Sequence, residues 1–385
     1  MRTPEEFDEI RPYDPEELPA IFEELIADPE FRAAAEQVLP EVPYEEACNR
    51  LRRCRTNLEV QQTFFYPLLH GIVDRCSDGL MLENSQSVDK RVPHTFITNH
   101  RDIVMDSAFL SISLLDNGFG NTMEIAIGDN LLIRPWIKKL VRVDKAFIVQ
   151  RSVSLRQMLA SSTRLSRYMH YAIATKHENI WIAQREGRAK DSNDRTQDSI
   201  LKMMAMGGEG SIIDRLKQLN LVPTALSYEY DPCDYLKAQE FQQKRDIEGF
   251  KKNPKDDLVN MQTGIFGYKG RICFRVAGPL NDWLDTLPAD MPKTELFTAV
   301  ASRIDKEIHR NYKLYAGNYV AADLLRGTQE FAAHYTSEEK TRFEAYLESR
   351  LEKVTLPNPD TAFLRERLLT MYANPVFNYM AARQK

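Results

Sequence analysis

Four short polar segments combine residue types that can move a proton or hold an anion, and each follows or ends a run of apolar, strand-like residues. The first is Asn99-His100-Arg101-Asp102-Ile103-Val104-Met105-Asp106, where a strand gives way to a helix. An imidazole at the carboxyl end of a strand is placed to act as a general base. A carboxylate from the following helix can fix its tautomer and steady its charged form. Two carboxylates compete for that role, Asp106 and Asp102, and Asp102 has an ordinary alternative use as a helix N-cap. The second segment, Phe147-Ile148-Val149-Gln150-Arg151-Ser152, delivers Arg151 at a strand end, although alone it reads equally as a surface arginine. The third runs Ile182-Ala183-Gln184-Arg185-Glu186-Gly187-Arg188-Ala189-Lys190. Here Gly187 permits close backbone approach, and Arg188 and Lys190 offer charge-assisted donors suited to a phosphate; the bland reading is a solvated charge run. The fourth, Leu221-Val222-Pro223-Thr224-Ala225-Leu226-Ser227-Tyr228, reads as a core strand opening with proline. No metal site is expected, because the seven histidines form no HxxxH or HxH pair. No cofactor is expected either, since neither GxxxxGK(S/T) nor GxGxxG occurs.

The elements that must position these residues follow from the hydrophobic pattern. Strand-like runs at His94–Thr98, Met123–Ile127, Ala146–Val149, Ile180–Ala183, Val222–Tyr228 and Arg271–Val276 alternate with helix-like stretches such as Asp106–Leu115, Leu132–Leu140, Leu155–Ala174 and Ile200–Met206. That alternation predicts an α/β fold with a mixed central sheet flanked by helices. The first ~85 residues read as helical, with apolar stripes at Ile21, Phe22, Leu25 and Ile26 and at Phe64, Phe65, Leu68, Leu69 and Ile72. Beyond Pro292 the chain returns to helix, interrupted near Pro357–Pro359. The expected organisation is a helical N-terminal region (1–88), an α/β core (89–290) and a helical C-terminal region (291–385). The charged excursion Asp231–Asp257 is expected to be a surface insertion or a lid.

Composition narrows the function classes. The 385 residues are 43% hydrophobic and 28% charged, with a formal net charge of −5. That excludes disordered and collagen-like classes and argues against a nucleic-acid partner. Five cysteines without a CxxC pair read as free thiols of a reducing compartment. No apolar run approaches the ~20 residues of a membrane span. The expected location is cytoplasmic, peripheral on the inner face of a membrane.

Taken in order, the four segments resemble the glycerol-phosphate and lysophospholipid acyltransferase superfamily. Its blocks are an NHx4D motif, a strand ending in a basic residue, an EGxR or GGRxR block and a strand with an IVP-type start. The resemblance spans roughly residues 90–280, and the strand Gly270–Pro279 (GRICFRVAGP) and the segment Asn311–Leu325 also look like family sequence. This chain departs at one place: five residues, not four, separate His100 from Asp106. Either Asp106 still reaches the imidazole or Asp102 has taken the role. Asp106 is favoured, because Asp106-Ser-Ala-Phe-Leu resembles the family's aspartate followed by an apolar helix.

The resemblance implies acyl transfer from a thioester, on acyl-CoA or acyl-carrier protein, to the hydroxyl of a glycerol 3-phosphate or lysophosphatidic acid type acceptor. His100 would be the base, steadied by Asp106 or Asp102, while Arg151, Glu186, Gly187, Arg188 and Lys190 would form the acceptor's phosphate pocket. Another lysolipid or aminolipid acceptor, or a catalytically impaired regulatory relative, stand as alternatives, and a thioester hydrolase would have no use for the cations. A local patch at Lys244, Arg245, Lys251 and Lys252 suits an acidic carrier protein, and a lipid acceptor implies a membrane surface, met through the N-terminal helices.

Overall fold

The computed structural model describes residues 2–151 and 154–384. Five N-terminal helices, α1 (Leu18–Ile26), α2 (Pro29–Val38), α3 (Tyr44–Arg53), α4 (Asn57–Val60) and α5 (Tyr66–Cys76), lead into β1 (Leu80–Glu83). Strands and helices then alternate: β2 (Thr95–Thr98), α6 (Met105–Asp116), β3 (Met123–Gly128), α7 (Pro135–Val143), β4 (Ala146–Val149), α8 (Leu155–Ala174) and β5 (Asn179–Ala183). Next come α9 (Asp198–Met204), α10 (Ile212–Gln218) and β6 (Leu221–Tyr228), with α11 (Asp234–Asp246) and α12 (Pro254–Phe266) ahead of β7 (Ile272–Val276). The chain finishes through α13 (Asn281–Leu284), α14 (Lys293–Arg310), α15 (Ala316–Arg326), α16 (Ser337–Leu351) and α17 (Thr361–Arg383).

Among the described residues the strands form one mixed sheet in the order β1-β7-β6-β2-β5-β3-β4, parallel except for the β6–β7 pair. Each helical crossover returns the chain to the same starting edge, so β2, β3, β4, β5 and β6 all deliver their carboxyl ends to one side. Every residue of β2 and β6 is buried, as expected of central strands covered on both faces. One face packs against α8, α9, α10 and α14 through Leu165, Met169, Leu201, Leu216 and Ile304. The other packs against α5 and α6 through Leu69, Ile72, Phe109 and Leu110. This is the α/β architecture with helical additions at both ends that the alternation predicts.

Two stretches differ from expectation. Residues 80–83 extend the sheet as β1, paired with β7, although the surrounding sequence reads as helical. Four residues carry too little periodicity to announce a strand, and pairing with a distant partner decides the matter. The charged excursion folds as α11 and the start of α12 and turns charges inward: Asp234 and Lys237 are fully buried. Asp234 meets Arg350 of α16 at 2.6 Å, and Lys237 pairs with Asp231 and donates to the Arg101 carbonyl at 2.9 Å. Asp234 finds its neutralising partner on a helix more than a hundred residues away and Lys237 finds its own just before α11, so composition alone pointed outward. The N-terminal apolar stripes are also consumed by packing, since Phe22, Leu25, Phe64, Leu69 and Ile72 are all buried. Ile21, Ile26, Phe65 and Leu68 of the same stripes stay half-buried. No helix among the described residues is long and apolar enough to cross one.

Candidate active site

The site is built at the carboxyl edge of the sheet, where β2 ends beside β6 and β5. Asn99 fastens that end: its side-chain amide donates to the Leu226 carbonyl (2.9 Å) and accepts from the Leu226 N–H (2.8 Å), extending the β2–β6 pairing by one residue. His100 is therefore held at a fixed place as the chain turns away. Its Nδ1 lies 2.8 Å from Asp106 Oδ2, and Asp106, in the first turn of α6, is fully buried. The Arg101 N–H (2.6 Å) and the Asp102 N–H (3.0 Å) also donate to Oδ2, while the Tyr228 hydroxyl donates to Oδ1 at 2.9 Å. With Nδ1–H spent on Asp106, Nε2 is left as the proton acceptor. The Trp181 ring stands edge-on to the imidazole at 5.7 Å between centroids.

Asp102 does other work. Its Oδ1 accepts from the Val104 and Met105 N–H groups (2.9 and 2.8 Å), so it caps the start of α6. Burial, with the Asp106 carboxylate beside it, pushes the Asp102 carboxyl above its ordinary range. The turn thus absorbs the fifth intervening residue, and the carboxylate on the imidazole is Asp106.

His100 opens into a cleft of ≈ 340 Å³ that also gathers Arg151, Glu186, Gly187, Arg188 and Lys190, which come from two separate strand ends. Three side chains that sequence reasoning did not place there join them: Arg185, Lys252 and Asp257. Arg185 lay in the quoted third segment, whereas Lys252 and Asp257 belong to the α11–α12 excursion and no local signal ties them to the site. Gly187 adopts φ +66°, a backbone region that favours glycine and lets the loop turn tightly over the cleft. Arg151 lies 3.5 Å from Glu186 and its N–H donates to Asp129 Oδ1 (3.1 Å), while the neighbouring Ser152 lies outside the described residues. Arg188 Nη2 donates to Asn260 Oδ1 of α12 at 3.1 Å. Lys190 pairs with Glu240, and Lys252 with Asp257. Burial outweighs the Glu240 contact and pushes the Lys190 ammonium down to about 8. Arg188 Nη1 and Arg185 Nε are screened from solvent with no partner among the described residues.

The sequence matches no protein-family model and no curated protein. Among solved structures, the chain is similar to the 1-acyl-sn-glycerophosphate (LPA) acyltransferase PlsC from Thermotoga maritima. The TM-score is 0.37 and the identity 12%, over 75% of this chain and 95% of that one.

A second set of bonds behind the dyad holds its loop. Arg101 makes a two-armed, buried pair with Asp194 (2.7 and 2.6 Å), and the Tyr312 hydroxyl donates to the same carboxylate. Burial works against the Arg101 charge, but Asp194 and Tyr312 hold its guanidinium firmly protonated. Arg101 is thus anchored to the β5–α9 loop and, through Asp194, to the loop after α14, while Lys237 of α11 holds its carbonyl. The arrangement leaves one imidazole with an oriented, proton-accepting nitrogen beside five cations and two carboxylates, a balance that attracts an anion.

Proposed function

We propose that this chain is an acyltransferase that moves an acyl group from a thioester to the hydroxyl of a phosphate-bearing glycerol acceptor. The observation that carries the reading is the His100–Asp106 pair opening directly into a cleft lined by Arg151, Arg185, Arg188, Lys190 and Lys252. The cations hold the acceptor's phosphate, with Arg185 Nε and Arg188 Nη1 supplying donors that no protein group uses among the described residues. His100 Nε2 takes the hydroxyl proton as that oxygen attacks the thioester carbonyl carbon. Asp106 stabilises the resulting imidazolium. The tetrahedral intermediate collapses with cleavage of the C–S bond, and the departing thiolate receives the proton from the imidazolium. The acceptor oxygen is itself the nucleophile, so no acyl-enzyme forms. Coenzyme A or an acyl-carrier protein is the donor class, and glycerol 3-phosphate and lysophosphatidic acid are the acceptors to try first.

The test is thiol release from acyl-CoA and from acyl-carrier protein, with glycerol 3-phosphate, lysophosphatidic acid or no acceptor. Acceptor-dependent release is expected, falling ~100- to 10,000-fold in His100→Ala. Release that ignores the acceptor would make the protein a hydrolase. Acceptor-dependent release untouched by His100→Ala would remove the dyad from the mechanism.

A further inference from the structure

Most of the large apolar side chains exposed among the described residues stand at the edge of the sheet that carries the cleft. Ile133 (51% exposed) follows β3 in the same loop as Asn130 and Leu131, which line the cleft. Met158 (47%) and Leu159 (67%) sit in the first turns of α8, which follows β4, the strand beside β3. Leu258 (41%) and Val259 (45%) lie on α12, and Ile247 (51%) just after α11.

Helix α12 packs Ile265 against the apolar core beside polar and small residues, and leaves other apolar side chains outside. Its inward face carries Asn260, bonded to Arg188, and Gly264, whose backbone closes on Asp102, and both are buried. Leu258 and Val259 point outward instead. A helix that presents a neighbouring leucine and valine to solvent leaves apolar area uncovered, unless a second apolar phase covers its outer face. Exposed basic residues accompany these apolar ones: Arg156 beside Met158, Lys251 and Lys255 before Leu258, and Arg134 beside Ile133, the last 3.3 Å from Glu30. Apolar side chains set in ones and twos on separate elements and accompanied by cations suit a fluid anionic monolayer, which needs no matching shape. An acidic carrier protein would call for a contiguous cationic face. In the expected patch, however, Lys244 is paired with Glu240 and Arg245 with Asp246 and Asp360.

We infer that this apolar and basic rim, and not the N-terminal helices, seats the protein on an anionic lipid surface with the cleft facing the monolayer. The inference rests on the acyltransferase reading only for its purpose, which is to let a lipid acceptor or product pass between membrane and cleft.

The test is flotation with vesicles of phosphatidylglycerol and phosphatidylethanolamine, compared with phosphatidylcholine alone. The full chain, Leu159→Ser/Val259→Ser and Val92→Ser are compared; Val92 is equally exposed but precedes β2, at the opposite end of the sheet. Wild type and Val92→Ser are expected to float with the anionic vesicles, and the double variant to lose at least ~10-fold in partitioning. Unchanged thermal unfolding, and unchanged thiol release with water-soluble glycerol 3-phosphate, would keep that loss separate from a folding or catalytic defect. Three results would overturn the inference: a double variant that floats like wild type, an equal loss in Val92→Ser, or a wild type that stays in solution while binding acyl-carrier protein. Flotation requires no turnover, so failure of the acyltransferase reading and failure of the rim are distinguishable.

Discussion

At the scale of single residues, the Asp106 carboxylate is bound from four directions, and the Tyr228 hydroxyl is the donor that sequence order gives no reason to expect. Burial, with Asp106 facing it, pushes the Tyr228 phenol far above its ordinary range, so it stays a donor at every working pH. Tyr228→Phe removes one bond to a charged acceptor, a change on the order of 1.5–3 kcal/mol. The expected result is a kcat lowered about 10-fold with KM little changed. Thermal unfolding should move little, because the ring of the phenylalanine fills the same space. A variant with unchanged kcat would make Tyr228 a packing residue. Lys190 gives a pH test. Its folded value of about 8 lies below the ~10.4 of a free lysine, so between those values the unfolded chain binds the extra proton. The group's contribution to stability therefore rises with pH across that window, while the hold on phosphate proposed for it weakens. KM for the phosphate acceptor should climb about 10-fold as pH passes 8, and Lys190→Arg should flatten the climb.

At the scale of elements, α12 links the cap of α6 to the anion pocket. A Cβ placed at Gly264 would lie 1.9 Å from Asp102 Oδ2 and 2.7 Å from its Cγ. Asp102 cannot yield without releasing the Val104 and Met105 N–H groups, so the helix must shift instead. Gly264→Ala is expected to destabilise by ~1–3 kcal/mol and to weaken acceptor binding through Asn260 and Arg188, as urea unfolding and KM would show together. A variant as stable as wild type would mean that α12 moves freely over the site. This dependence was invisible in the sequence, and the reason is general. The strands β2 to β7 were legible because each is a short apolar run between turn signals, and α8 because its stripe lasts 20 residues. The dyad was legible as a choice between Asp102 and Asp106, since spacing alone does not say which carboxylate the turn spends as a cap. Lys252, Asn260 and Tyr228 reach the site through tertiary contacts, and β1 exists only through its pairing with β7.

At the scale of the whole molecule, the C-terminal helices act on the site through one buried charge. Asp234 of α11 receives Arg350 Nε (2.6 Å), the Tyr346 hydroxyl (2.6 Å) and the Tyr372 hydroxyl (2.8 Å), so α16 and α17 together hold α11. Helix α11 in turn supplies Lys237, which holds the Arg101 carbonyl beside His100. Burial already pushes the Asp234 carboxyl upward, with the Arg350 charge opposing it. Arg350→Leu would strand that carboxylate and is expected to cost ~3–5 kcal/mol, lowering the midpoints of thermal unfolding and of activity loss together. The loss should carry a pH signature. Without its cation, Asp234 takes up a proton in the folded chain at a pH where the unfolded chain stays ionised. Asp234's contribution to stability should then be greatest below about 4 and fall as pH rises toward neutrality, more steeply than in wild type, where Arg350 opposes the same upward shift. Arg350→Leu/Asp234→Asn removes the stranded charge while the Asn oxygen still accepts from the tyrosines, so it should recover at least half of the loss and erase the trend. A double variant no more stable than Arg350→Leu would show that the guanidinium matters for its packing against Tyr235 and Tyr346, whose rings it overlies at 4.8 and 5.5 Å, and not for its charge.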